Sequence, residues 1–177
     1  MRPFHEQLLS RIYEGKATDV DALYDSWKKI HPDLSSASPE ENYMEFANQI
    51  DWRVCMELTA EYQSKFADTF FYLFSQKSSV KSLGACHAID LPFVFGNPDK
   101  QMEPRPSKKL IKEVQAAWAT FATTGNPSNP FIPTWKKYSA NDRQTMEINA
   151  ASWELHKDLN VDNLAALRTF YEDNLLD

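Results

Sequence analysis

A chain of 177 residues with 42% hydrophobic and 25% charged residues is long enough for one globular domain with a real core. Its net charge of −6 and sequence pI near 5.2 exclude the basic footprint that nucleic acid or an anionic membrane surface selects. No apolar run approaches the ~20 residues that cross a bilayer, and Met1 to Gln7 lacks the apolar core of a secretory signal.

Helical signals dominate the first part of the chain. Phe4, Leu8 and Ile12 recur every four residues and Gly15 follows as a stop. Thr18 with Asp21 opens a second helix whose Val20, Leu23, Tyr24, Trp27 and Ile30 share one face, and His31-Pro32 ends it. Ser38, Pro39 and Glu41 then form the strongest helix start in the chain. Behind it Phe46, Ile50, Val54, Leu58, Tyr62 and Phe66 predict a long helix with one apolar stripe.

The segment Thr69 to Ser75 is apolar on both alternating faces, as a buried central strand would be. Asp99 to Ser107 reads as an exposed loop. Leu110, Val114, Ala117, Trp118 and Phe121 mark a helix that stops at Gly125. Residues 145–149 and 152–155 predict a short hairpin, and Leu164, Leu167, Phe170 and Leu175 a final amphipathic helix. So few strands cannot flank a strand that is apolar on both faces, and the pattern reads as part of a larger sheet.

Three landmarks follow one another in order. They are His87-Ala88-Ile89-Asp90-Leu91-Pro92-Phe93-Val94-Phe95-Gly96-Asn97, then Trp118-Ala119-Thr120-Phe121 running to Thr124-Gly125-Asn126-Pro127, then Trp135 with Tyr138. Together they resemble the type-B carboxylesterases, the family of bacterial p-nitrobenzyl esterases and the cholinesterases. The resemblance covers the whole chain and is strongest from Phe70 to Tyr138. It implies an α/β-hydrolase fold and ester hydrolysis by a serine triad, with His87 as the general base.

The other triad members are absent from the sequence. Gly15, Gly84, Gly96 and Gly125 are the only glycines, so no Gly-x-Ser-x-Gly elbow and no glycine-rich oxyanion loop exists. By the family's pattern the acid would fall at or before the start of the chain, and Glu6 lacks the surrounding motif. Cys86 adjoins His87, but sequence neighbours rarely aim their side chains at each other for proton transfer. His5, His31 and His156 have no metal-ligand spacing, so neither a metal nor a cofactor is expected. Asp90 is expected to hydrogen-bond the loop backbone or to be solvated. Trp118 and Phe121 read as core, with a possible part in lining an acyl pocket.

The expected fold class is α/β: the C-terminal part of an α/β-hydrolase fold, mostly helical, with one buried strand and a short C-terminal hairpin. A single portion spans 1–177, with a helical part over 1–67 and a histidine-loop and core part over 68–177. Its expected role is to supply His87 to a carboxylic ester hydrolase while being inactive alone. The expected partners are an N-terminal part carrying Ser and acid, on the same or a separate polypeptide, and a small-molecule ester. The rival expectation is a non-catalytic module that forms a homodimer or binds a partner through its sheet edge. With only Cys55 and Cys86, and no glycosylation sequon, the expected setting is cytoplasmic.

Overall fold

The computed structural model describes residues 17–31, 38–80, 83–98, 107–159 and 161–175. The chain divides into two compact units, Met1–Leu58 with Asn160–Asp177, and Thr59–Leu159. The helix predicted around Phe4, Leu8 and Ile12 and most of the loop predicted at 99–107 lie outside the described residues.

In the first unit, helix α1 (Ala17–Ile30) buries Trp27 at 2% exposure. Ile30, expected on the same face, is exposed instead. The residue one turn beyond Trp27 is His31, which stacks on the indole at a centroid distance of 4.2 Å and sets its Nδ1 2.9 Å from the Trp27 carbonyl. His31, not Ile30, is the buried residue at this end of the helix.

Helix α2 (Pro39–Asn48) begins with the expected reciprocal cap. Ser38 Oγ accepts from the Glu41 N–H at 3.2 Å, and Glu41 Oε2 accepts from the Ser38 N–H at 2.9 Å. The helix then passes through a π-helical turn, Gln49–Arg53, into α3 (Val54–Gln63). An interval of four advances about 40° per step around an α-helix. The wider π turn takes up that drift and keeps Phe46, Ile50 and Val54 all buried to within 1%. The predicted stripe outlasts the helix: Tyr62 sits in the last turn, Phe66 beyond it, and both are exposed. Helix α6 (Val161–Leu175) closes this core with Leu164 and Leu167.

The second unit is built on a three-stranded sheet of order β1-β2-β3. Strand β1 (Phe71–Phe74) runs parallel to β2 (Gln144–Ile148), which pairs antiparallel with β3 (Trp153–Lys157) as the predicted hairpin. The shortage of neighbours expected for this strand is seen among the described residues. No described strand covers the outer edge of β1, so its first three residues are only half-buried, and the buried centre of the sheet is β2.

Register places Tyr72, Met146 and Leu155 in one row, and Phe74, Ile148 and Trp153 in the next, on a common face. Helix α5 (Lys108–Thr124) lays Leu110, Val114 and Ala117 into the same core. It starts at Ser107, whose Oγ accepts from the Leu110 N–H, and stops at Gly125, which adopts φ +75° and donates its N–H to the Phe121 carbonyl. Beneath it the Trp153 Nε1–H donates to the buried Glu113 at 3.1 Å. No described helix is long and apolar enough to cross a membrane.

Candidate functional site: the histidine turn and the aromatic cavity beside it

Beyond the carboxyl end of β1 the chain folds back into two successive turns, closed by Ile89 N–H to the Cys86 carbonyl and Leu91 N–H to the Ala88 carbonyl, both at 3.2 Å. His87 sits in this double turn with its side chain exposed, ahead of the short helix α4 (Leu91–Val94). Ala88 adopts φ +64°, a left-handed conformation that costs a side-chain-bearing residue roughly 1–2 kcal/mol. Such strain persists only where the surroundings over-determine it.

Those surroundings are on both sides of the turn. Ile89 and Phe93 are buried in the sheet–helix core, and the Phe93 ring meets Phe74 of β1 at 5.3 Å. From β1 itself the Tyr72 hydroxyl donates to Asp90 Oδ2 at 2.7 Å. Burial, then this hydrogen bond, then the carboxylate's charge push the Tyr72 hydroxyl well above the usual tyrosine range. Asp90 therefore neither bonds the loop backbone nor stands solvated, as its position in the sequence suggested; it ties the histidine turn to the sheet.

Gly96 ends α4 with φ +66°. A Cβ there would lie 2.5 Å from Gln115 Nε2, the mobile end of a side chain that can turn aside, so it is the turn that calls for glycine. Leu91 and Phe95, at the two ends of α4, are exposed.

Of the other sequence candidates, Cys86 packs against the core while its neighbour His87 faces outward, which separates the two as a catalytic pair. On the opposite face of the hairpin His156 Nε2 lies 3.1 Å from Glu147 and 3.9 Å from Glu154. Sequence reading missed this contact, which joins adjacent strands across nine residues of chain. Among the described residues, no group of three or more His, Cys, Asp or Glu could hold a metal ion.

Sequence reading also missed a cavity of about 160 Å³ on the helix side of β1, walled by Phe70, Tyr72, Ala117, Trp118, Phe121 and Trp135. Trp118 and Phe121 line it; Trp118 also packs against the core as expected, whereas Phe121 is exposed. Tyr72 meets Trp118 edge-on at 5.1 Å and Trp135 at 6.2 Å, so a single side chain belongs to both the cavity wall and the anchor of the histidine turn.

Residues 4–166 match the model of the Carboxylesterase family. The para-nitrobenzyl esterase of Bacillus subtilis (strain 168) is 33% identical over 125 residues, 67% of this chain and 25% of that protein. The bile salt-activated lipase of Homo sapiens is 29% identical over 155 residues, 81% of this chain and 20% of that protein. Among solved structures, a PNB esterase superposes with a TM-score of 0.62 at 30% identity, covering 76% of this chain and 29% of its own. A thermophilic PNB esterase gives a TM-score of 0.67 at 26% identity, covering 94% of this chain and 33% of its own. The chain thus spans between a fifth and a third of the length of these proteins.

Proposed function

Because the chain belongs to the carboxylesterase family, with the α/β-hydrolase type of fold, we propose that it is the histidine-bearing C-terminal portion of a serine carboxylic ester hydrolase. The observation that carries this reading is His87: exposed, on a strained double turn past the end of β1, and clamped from the sheet through Tyr72–Asp90 and Phe74–Phe93. In open α/β sheets ligands gather outside the carboxyl ends of the strands, and the turn that bears His87 follows β1 in the chain.

In the assembled enzyme the His87 imidazole takes the proton from a serine hydroxyl as its oxygen bonds to the acyl carbon. It returns that proton to the alkoxide as the ester C–O bond breaks. Water then repeats the exchange and releases the acid. The serine, the oxyanion donors and the carboxylate that orients the ring come from an N-terminal portion, on the same or a separate polypeptide, and this chain alone is inactive. Cys55 and Cys86 both carry thiols, which fits the cytoplasmic setting we propose for it.

Co-folding the chain with an N-terminal esterase portion that bears the Gly-x-Ser-x-Gly elbow is expected to give hydrolysis of a p-nitrophenyl ester and labelling by a fluorophosphonate. His87→Ala is expected to lower kcat by about four to six orders of magnitude. A His87→Ala complex that still turns over would refute the assignment. A second reading is favoured by the outer edge of β1, which no described strand pairs: a non-catalytic module that self-associates or binds a partner there.

A further inference from the structure

The two turns around His87 overlap. The first, closed by the Cys86 carbonyl, has His87 and Ala88 at its centre; the second, closed by the Ala88 carbonyl, has Ile89 and Asp90. Positive φ at the third residue of a turn is a position that glycine fills by preference, yet here Ala88 fills it at φ +64°. Turning over the single peptide between His87 and Ala88 would return Ala88 to negative φ and leave the ends of the turn in place. That flip rotates the backbone on which the imidazole stands. An unrestrained alanine favours the relaxed arrangement about tenfold.

The strained arrangement therefore needs a hold. Ile89 and Phe93, buried in the core, fix the depth of the turn, but apolar contact is non-directional. The hydrogen bond from the Tyr72 hydroxyl to Asp90 Oδ2, at 2.7 Å, is directional and grips the second turn at its third residue. Tyr72 is itself fixed by its register with Met146 and by edge-on contacts with Trp118 and Trp135. Burial first, and then Asp90, keep the phenol protonated well above its ordinary range, so the donor is present at neutral pH.

We propose that Tyr72 is a positioning residue for His87: through Asp90 it holds Ala88 in the left-handed conformation that aims the imidazole for proton transfer. The proposal rests on the hydrolase reading for what His87 does, and on the turn alone for how it is held. Without the tether Asp90 turns to water, the second turn moves with it and Ala88 relaxes. His87 is then correctly placed in only about a tenth of the molecules. Ester binding does not use the direction of the ring, so the loss falls on kcat and spares KM. Glycine populates positive φ about as readily as negative, so with Ala88→Gly an untethered turn is correctly set in about half of the molecules.

The 15N-labelled 177-residue chain is read first, through the Ala88 cross-peak between its own amide proton and Hα, which is intense at positive φ. Tyr72→Phe is expected to weaken that peak, and so is Asp90→Ala, which breaks the same bond from the turn. Unmoved β2 and β3 amide peaks check that each variant folds. The chains are then co-folded with the N-terminal esterase portion. Tyr72→Phe is expected to lower kcat on a p-nitrophenyl ester about tenfold at unchanged KM. Adding Ala88→Gly is expected to bring kcat back to within about threefold. A role in general stability predicts the opposite, since glycine loosens the chain further. An Ala88 peak unchanged in both single variants overturns the proposal, as does a loss of kcat that Ala88→Gly leaves in place. The spectra need neither a second polypeptide nor turnover. An unaltered complex without activity would instead strike the hydrolase reading, and with it the catalytic half of this proposal.

Discussion

Tyr72 and Asp90 lie 18 residues apart in the chain and 2.7 Å apart in space, one on β1 and the other in the histidine turn. Burial first, then the hydrogen bond and the charge of Asp90, hold the phenol in its protonated form well above the usual value near 10. Above about pH 10 the tyrosine of an unfolded chain releases its proton while the folded one keeps it. Stability that is complete below that pH is therefore lost as pH rises towards the folded value. Tyr72→Phe is expected to cost about 1–2 kcal/mol at neutral pH, by leaving Asp90 without its donor, and to flatten the decline of Tm above pH ~10. Thermal melts of both chains across the alkaline range check this, and parallel curves would refute it. His87 was legible in the sequence because its neighbours form a contiguous family motif. The Tyr72 anchor was not, because nothing local joins residue 72 to residue 90. The same distance hid the aromatic cavity, whose walls come from β1, α5 and the loop that follows.

Whole elements follow their local signals more closely than single contacts do. The Ser38 cap, the Gly125 stop and the 144–157 hairpin all form where the sequence placed them, since each is decided within a few residues. Two departures have physical causes that span longer stretches. The stripe from Phe46 to Phe66 keeps an interval of four, which no continuous α-helix can hold on one face, so a π turn intervenes and the last two rings fall outside the buried seam. The most buried strand is β2, whose Gln144, Thr145 and Glu147 disguise it, while β1 has the open edge that its two apolar faces implied. At this scale Ser38→Ala removes the acceptor for the Glu41 N–H and is expected to destabilise the chain by about 1 kcal/mol, while Ser38→Asp restores most of the loss. Denaturant midpoints for the three chains check it, and an unchanged midpoint for the alanine variant would show that the cap contributes nothing.

At the scale of the molecule, the sheet is paired on one side of β1 and carries no described strand on the other. A row of backbone donors and acceptors beside half-buried Phe71, Tyr72 and Leu73 is a template for another strand. In the assembled esterase we propose that the N-terminal portion occupies this edge; alone, the chain is expected to pair with its own copy there. Leu73→Lys separates the two demands of the edge. Leu73 is in register with Glu147 on β2, so the new ammonium gains a carboxylate within its own sheet while placing a charge on the edge that an incoming strand must desolvate. Light scattering behind size exclusion is expected to give the unaltered chain a mass that climbs above 20.4 kDa with concentration, and Leu73→Lys the monomer mass throughout. The same substitution is expected to weaken complementation by the N-terminal portion, because both associations use one edge. An unaltered chain that stays at the monomer mass over the whole concentration range would remove self-pairing. Complementation indifferent to Leu73→Lys would place the N-terminal portion elsewhere on the molecule.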